Sequence, residues 1–94
     1  MKKINFNVPI NDLEGKPMIS QGRTINVKEN VANLIAIAKP KPNKAIRMLD
    51  LSLKIYNTKE AIDIEDSDVE IIKQIVSESN TSTLIQGQIL KLLG

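Results

Sequence analysis

Two clusters of charged side chains are dense enough in this sequence to suggest chemistry. Lys39, Lys41, Lys44 and Arg47 form the densest basic segment, wrapped around Pro40 and Pro42. At a helix start such a patch could hold a phosphate through charge and free N–H groups. Glu60, Asp63, Glu65, Asp66, Asp68 and Glu70 form its acidic counterpart. Carboxylate oxygens suit hard cations, but the helix–loop–helix calcium site needs a glycine at its sharp turn and a bidentate Glu at its end. No glycine falls in this run. Its spacing suits a helix N-terminus, where negative charge offsets the dipole. We therefore expect no metal there.

Catalysis lacks its usual reagents. The chain has no His and no Cys, so Ser67, Ser77, Ser79, Thr81, Ser82 and Thr83 have no histidine base, and no strand-to-helix nucleophile elbow surrounds any of them. The glycines at 15, 22, 87 and 94 are too scattered for a phosphate-cradling loop. Paired carboxylates can hydrolyse glycosides, but only across a cleft, and a short chain without aromatic platforms is a poor host. The expectation is a protein that is not an enzyme and takes no cofactor.

The basic segment also fits nucleic acid poorly. Arg occurs only twice, at 23 and 47, and the net charge is +2, well short of a basic footprint. No aromatic side chain is interleaved for base stacking. Charge is nevertheless unevenly distributed. Residues 1–59 carry 11 Lys/Arg against 4 Asp/Glu, a local +7, and residues 60–94 carry 2 Lys against 7 Asp/Glu, a local −5. The two halves should attract each other within one chain, or in trans between neighbouring copies, which salt would then weaken.

These groups must be positioned by a small fold. The 94 residues suffice for one domain and one core. A hydrophobic share of 41% and a charged share of 26% argue against disorder. With Phe6 and Tyr56 as the whole aromatic complement, the core must be aliphatic, and 15 Ile residues supply most of it. A core without aromatic area makes burial through self-association more plausible. Ile, Lys and Asn are abundant and have AT-rich codons, which points to the base composition of an AT-rich genome. The lack of Cys suits a reducing cytoplasm. Lys2 and Lys3 are followed by Asn5, Asn7 and Pro9 rather than an apolar segment, so neither an export signal nor a membrane span is expected.

The hydrophobic periods give the elements. Ile4, Phe6, Val8 and Ile10 alternate with polar residues as in a half-buried strand, and Pro9 places it at an edge or near its end. Turn residues 11–17 reverse the chain, and residues 18–20 and 23–25 return it. The reading is α+β: an N-terminal β-hairpin over 1–25, packed against three or four helices in 26–94. A short strand at 61–64 can extend the hairpin to three strands. Asn26 with Glu29 resembles a capping box for the first helix, whose apolar face is Val27, Val31, Leu34, Ile35 and Ala38. Pro40 and Pro42 end it, and Asn43 should cap the second helix. There Ile46, Leu49, Leu53 and Tyr56 form one stripe, widened by Met48, Leu51 and Ile55, so this helix should be central and touch several neighbours. Ser67, with Glu70 as capping partner, opens a third helix burying Val69, Ile71, Ile72, Ile75 and Val76. A last helix holds Leu84, Ile85, Ile89, Leu90, Leu92 and Leu93. Gly87 lies inside it at a cost of about 1 kcal/mol relative to Ala, which a close helix approach would explain.

Three segments, LEGKP at 13–17, KAIRMLDLSLKIYN at 44–57 and TLIQGQILKLL at 83–93, resemble short uncharacterised proteins of phages and prophages of AT-rich bacteria. The resemblance implies an accessory role, structural, assembly-related or host-modulating, and assigns no residue a task. The functional expectation is a cytoplasmic, non-enzymatic protein–protein interaction protein that binds itself or a phage or host protein. The alternatives are a small nucleic-acid-associated regulator using Lys39, Lys41, Lys44 and Arg47, and an oligomeric binder of a small anionic ligand.

Overall fold

The computed structural model describes residues 2–94. The alternation at the N-terminus reaches the core as its period requires: Ile4, Phe6 and Ile10 are buried. Regular pairing is shorter than the alternation. Strand β1 (Lys2–Ile4) ends where the Asn5 carboxamide oxygen accepts from the Asn7 N–H at 3.0 Å and turns the backbone out of register.

The α+β architecture holds, with its strands in two small antiparallel sheets. β1 pairs with β4 (Ile62–Ile64), in the register Lys2↔Ile64 and Ile4↔Ile62. The strand expected at 61–64 therefore joins the first strand rather than the return of the hairpin. The hairpin proper is β2 (Ile19–Ser20) with β3 (Arg23–Thr24). Gln21 and Gly22 between them have φ of 53° and 76°, the two positive values that a two-residue type I′ turn demands. The remainder of the predicted hairpin survives as a looser ladder. Ile10 donates to the Ile25 carbonyl at 2.8 Å, and Val27 donates to the Val8 carbonyl at 2.9 Å. Both bonds bypass Pro9, which has no N–H to give.

Four helices follow: α1 (Val27–Ile37), α2 (Ala45–Asn57), α3 (Asp66–Glu78) and α4 (Thr83–Leu93). Three of the expected caps differ. Asn26 is the N-cap of α1 but makes no side-chain bond to the first turn; its carbonyl accepts from the Asn30 carboxamide at 3.1 Å. Asn43 precedes the N-cap of α2, Lys44, and takes a left-handed φ of 62°, a conformation Asn tolerates better than most residues. α3 starts one residue before Ser67, with Glu65 as N-cap. Ser82 caps α4, accepting from the Ile85 N–H at 3.4 Å.

α1 and α2 run antiparallel, fixed by Lys28 donating to the Thr58 carbonyl at 3.2 Å and the buried Ser52 hydroxyl donating to the Ala32 carbonyl at 2.8 Å. α3 packs on α1 and α4, burying the five aliphatic residues its period predicts. α4 buries Ile89 and Leu93. The Gln88 carboxamide ties α4 to the N-terminal arm. It accepts from the Asn11 N–H at 2.8 Å and donates to the Asn11 carbonyl at 2.6 Å. Lys2 Nζ donates to the Leu93 carbonyl, holding β1 beside the end of α4. Among the described residues no helix is long and apolar enough to cross a membrane.

Gly87 corrects an expectation. It is exposed, and a Cβ built on it would meet nothing within 4 Å. No close approach of another element requires glycine at this point of α4.

Candidate functional site

The four basic residues singled out by the sequence do not form one patch. Arg47 lies in the first turn of α2, facing the beginning of α3. Its Nε donates to Asp68 Oδ1 at 2.8 Å, and its Nη2 reaches Ser67 Oγ at 2.9 Å and Glu65 Oε2 at 3.2 Å. The hydrogen bond it donates to Asp68 and then the charge of Asp68, with a smaller contribution from Glu65, raise the guanidinium pKa above its ordinary value. The basic and acidic halves thus meet in cis here. Arg47 closes the first turn of α3 rather than standing open to an anion.

Lys39 and Lys41 lie on the Pro-rich connection between α1 and α2. They border a cleft of ≈ 830 Å³ also lined by Leu34, Ile37, Pro40, Ile75 and Glu78. Its volume is that of a small-molecule site. Lys44 borders a separate hollow, with Ser67, Glu70 and Lys73. The acidic run is similarly dispersed: Glu65 and Asp68 are engaged by Arg47, and Glu70 pairs with Lys73 at 3.7 Å. Among the described residues no three His, Cys, Asp or Glu side chains converge as a metal-binding set.

The most distinctive surface is on α2. The helix buries Met48, Leu51, Ser52 and Ile55 against the domain. Its other apolar set stands in solvent: Ile46 is 79% exposed, Leu49 55%, Leu53 50% and Tyr56 52%. The sequence predicted a central helix touching several neighbours, and the structure corrects this by leaving the stripe uncovered. At 100° per residue the two sets centre roughly 130° apart on one helix. A helix backed by α1 on one side can bury one of them against the domain. Leu13, Ile19 and Ile37 are also exposed, but they lie on a turn, a hairpin and another helix. Among the described residues only those of α2 make a continuous line.

That line has a defined topography. Leu49 forms one wall of a hollow of ≈ 140 Å³ with Ala36, Pro40 and Ala45, at the N-terminal end of the stripe. Tyr56 projects at the C-terminal end, one residue before the helix stops. Asp50 and Lys54 border the opposite flank, over a second groove shared with Asp63 and Glu65. Sequence reasoning found the four stripe residues and their periodicity but expected neighbouring elements of the fold to meet them. Comparison of the chain with known protein families, curated proteins and solved structures finds no match.

Proposed function

We propose that the chain is a non-enzymatic protein–protein interaction protein that works through the exposed stripe of α2. The observation that carries this reading is a row of four half- to largely exposed apolar side chains on one face of a well-packed helix. The largest contiguous apolar patch on a monomer, about 300–600 Å², is often a functional surface. A phage or prophage accessory role, in the host cytoplasm or in the virion, is supported by the resemblance of three of its segments. Nucleic-acid binding through the basic segment is the weaker reading, because Arg47 is committed to Asp68, Ser67 and Glu65.

The test is affinity purification from the native host, or from infected cells, with the wild-type chain and a Leu49→Glu/Leu53→Glu variant. Both positions are exposed, so circular dichroism should show an unchanged fold. Loss of a protein partner or of co-purifying untagged chain in the variant supports the reading. Recovery of the same set with both proteins refutes it.

A second reading rests on the ≈ 830 Å³ cleft beside Lys39 and Lys41: capture of a small ligand with an apolar body and an anionic end. Thermal shift against a panel of medium-chain carboxylates and phosphate esters, repeated with Lys39→Ala/Lys41→Ala, decides it. A shift that the double substitution abolishes supports it, and no shift across the panel overturns it.

A further inference from the structure

We infer that the occupant of the α2 stripe is the same stripe of a second copy, running antiparallel about a two-fold axis midway between Leu49 and Leu53. This rests on the stripe being a contact surface and adds what covers it. Ile46, Leu49, Leu53 and Tyr56 are spaced three, four and three residues apart. That is the seam in which identical helices interlock as knobs into holes. The same spacing also serves a helix that docks in an unrelated groove, so the choice of a second copy rests on the shape and size of the surface.

Shape fixes the direction. The largest knob, Tyr56, is at one end of the seam, and the hollow walled by Ala36, Pro40, Ala45 and Leu49 is at the other. In an isologous interface residue i meets j while j meets i. An antiparallel pair seats each Tyr56 over the partner's hollow and each Leu49 beside the partner's Leu53. A parallel pair sets Tyr56 against Tyr56 and hollow against hollow, leaving a void that forfeits dispersion contacts.

Size sets the strength. With side-chain areas on the order of 150–250 Å², the exposed fractions amount to about 500 Å² per copy and about 1,000 Å² in the pair, the lower bound of a specific interface. The dimer is therefore weak. Charge gives a further signature, because antiparallel pairing brings the two Asp50 side chains toward each other across the axis. Lys54 lies one turn along on each helix to moderate this repulsion.

The experiment is sedimentation equilibrium of the full chain from about 10 to 500 μM, a range that brackets a dissociation constant on the order of 100 μM for so small an interface. Wild type should pass from monomer to dimer. Leu53→Glu should stay monomeric with an unchanged circular dichroism spectrum, and Asp50→Asn should dimerise about two- to fivefold more tightly, as the loss of an exposed like-charge contact implies. The chain has no Cys, so Asp50→Cys supplies a unique thiol. A short bis-maleimide should cross-link it to itself, and adding Leu53→Glu should abolish the product. In a parallel pair the two position-50 thiols lie on opposite flanks of the seam and do not cross-link.

Any of three results overturns the inference: a monomer across the whole range, a dimer indifferent to Leu53→Glu, or a dimer in which Asp50→Cys fails to cross-link. A monomer that still captures another protein through Leu49 and Leu53 leaves the interaction reading standing and removes only the second copy. A stripe variant that loses nothing in either experiment removes both.

Discussion

Replacing Gly87 with Ala should stabilise the protein. Gly87 lies inside α4 with helical backbone, is exposed, and offers an added Cβ open space to 4 Å. Glycine in a helix interior costs about 0.8–1.0 kcal/mol relative to alanine, much of it backbone freedom that the unfolded chain loses on folding. Nothing around Gly87 opposes recovering that amount. Unfolding entropy of about 2.1 cal/mol/K per residue makes 1 kcal/mol equivalent to roughly 5 °C in a chain of this size. Differential scanning calorimetry should therefore place Gly87→Ala about 4–5 °C above wild type. Gly87→Leu should also melt above wild type, whereas overpacking at a close contact would cost about 1–3 kcal/mol. Gly22→Ala is the control. Its Cβ also meets nothing within 4 Å, but its φ is +76°, so the substitution should destabilise by about 1 kcal/mol or more despite the room. An unchanged or lower melting temperature for Gly87→Ala would refute the reasoning, because it would require something packed on that face of α4.

Phe6→Ala should bring the protein close to unfolding. Phe6 is fully buried, truncations of this kind cost about 3–5 kcal/mol, and the total stability of a small domain is about 5–15 kcal/mol. Urea denaturation measures it, and a loss under about 1 kcal/mol would place Phe6 outside the core. Gln88→Leu should remove both bonds to Asn11. Hydrogen exchange at the Asn11 amide should accelerate while amides in α3 keep their protection, and equal acceleration in both would show that the arm and the helices open as one unit. Ser52→Ala should cost about 1 kcal/mol for the lost bond to Ala32. A gain in stability on denaturation would mean that the hydroxyl is a burden in the α1–α2 contact.

Much of the fold was legible because the helices repeat their apolar residues at the helical period. In α3 each of Val69, Ile71, Ile72, Ile75 and Val76 is buried as the pattern requires. What the pattern left undetermined was pairing across distance. Residues 4–10 alternate throughout, yet β1 ends at Ile4 and takes its partner from 62–64, while residues 8–11 stay near the returning chain through scattered bonds. Alternation reports which side chains face inward. It does not report which strand supplies the N–H and carbonyl partners, and here the choice rests on contacts some sixty residues apart. The caps were legible only in part. Asn26 stands at the N-cap of α1 without a side-chain bond to the first turn, and Asn43, one residue before the N-cap of α2, uses its tolerance of positive φ instead.

The site was half legible, and α2 shows why. A hydrophobic pattern counts apolar residues without saying what covers them, and in α2 two such sets compete for one interior. Met48, Leu51 and Ile55 flank Ser52, whose hydroxyl locks that face to Ala32 of α1. Arg47, on a third face, reaches Asp68 and Glu65 of α3. With the helix held at both points its rotation is fixed, and Ile46, Leu49, Leu53 and Tyr56 are left outside. Neither contact follows from spacing, since the partners lie about twenty residues away. The consequence is sharp in a chain so poor in aromatic mass. Of its two aromatic side chains, Phe6 is fully buried and Tyr56 stands 52% exposed at the end of the stripe. A core this short of large side chains would gain from taking Tyr56 in. Leaving it on the surface forgoes that area in the lone chain, and the proposed contact over the stripe would recover it.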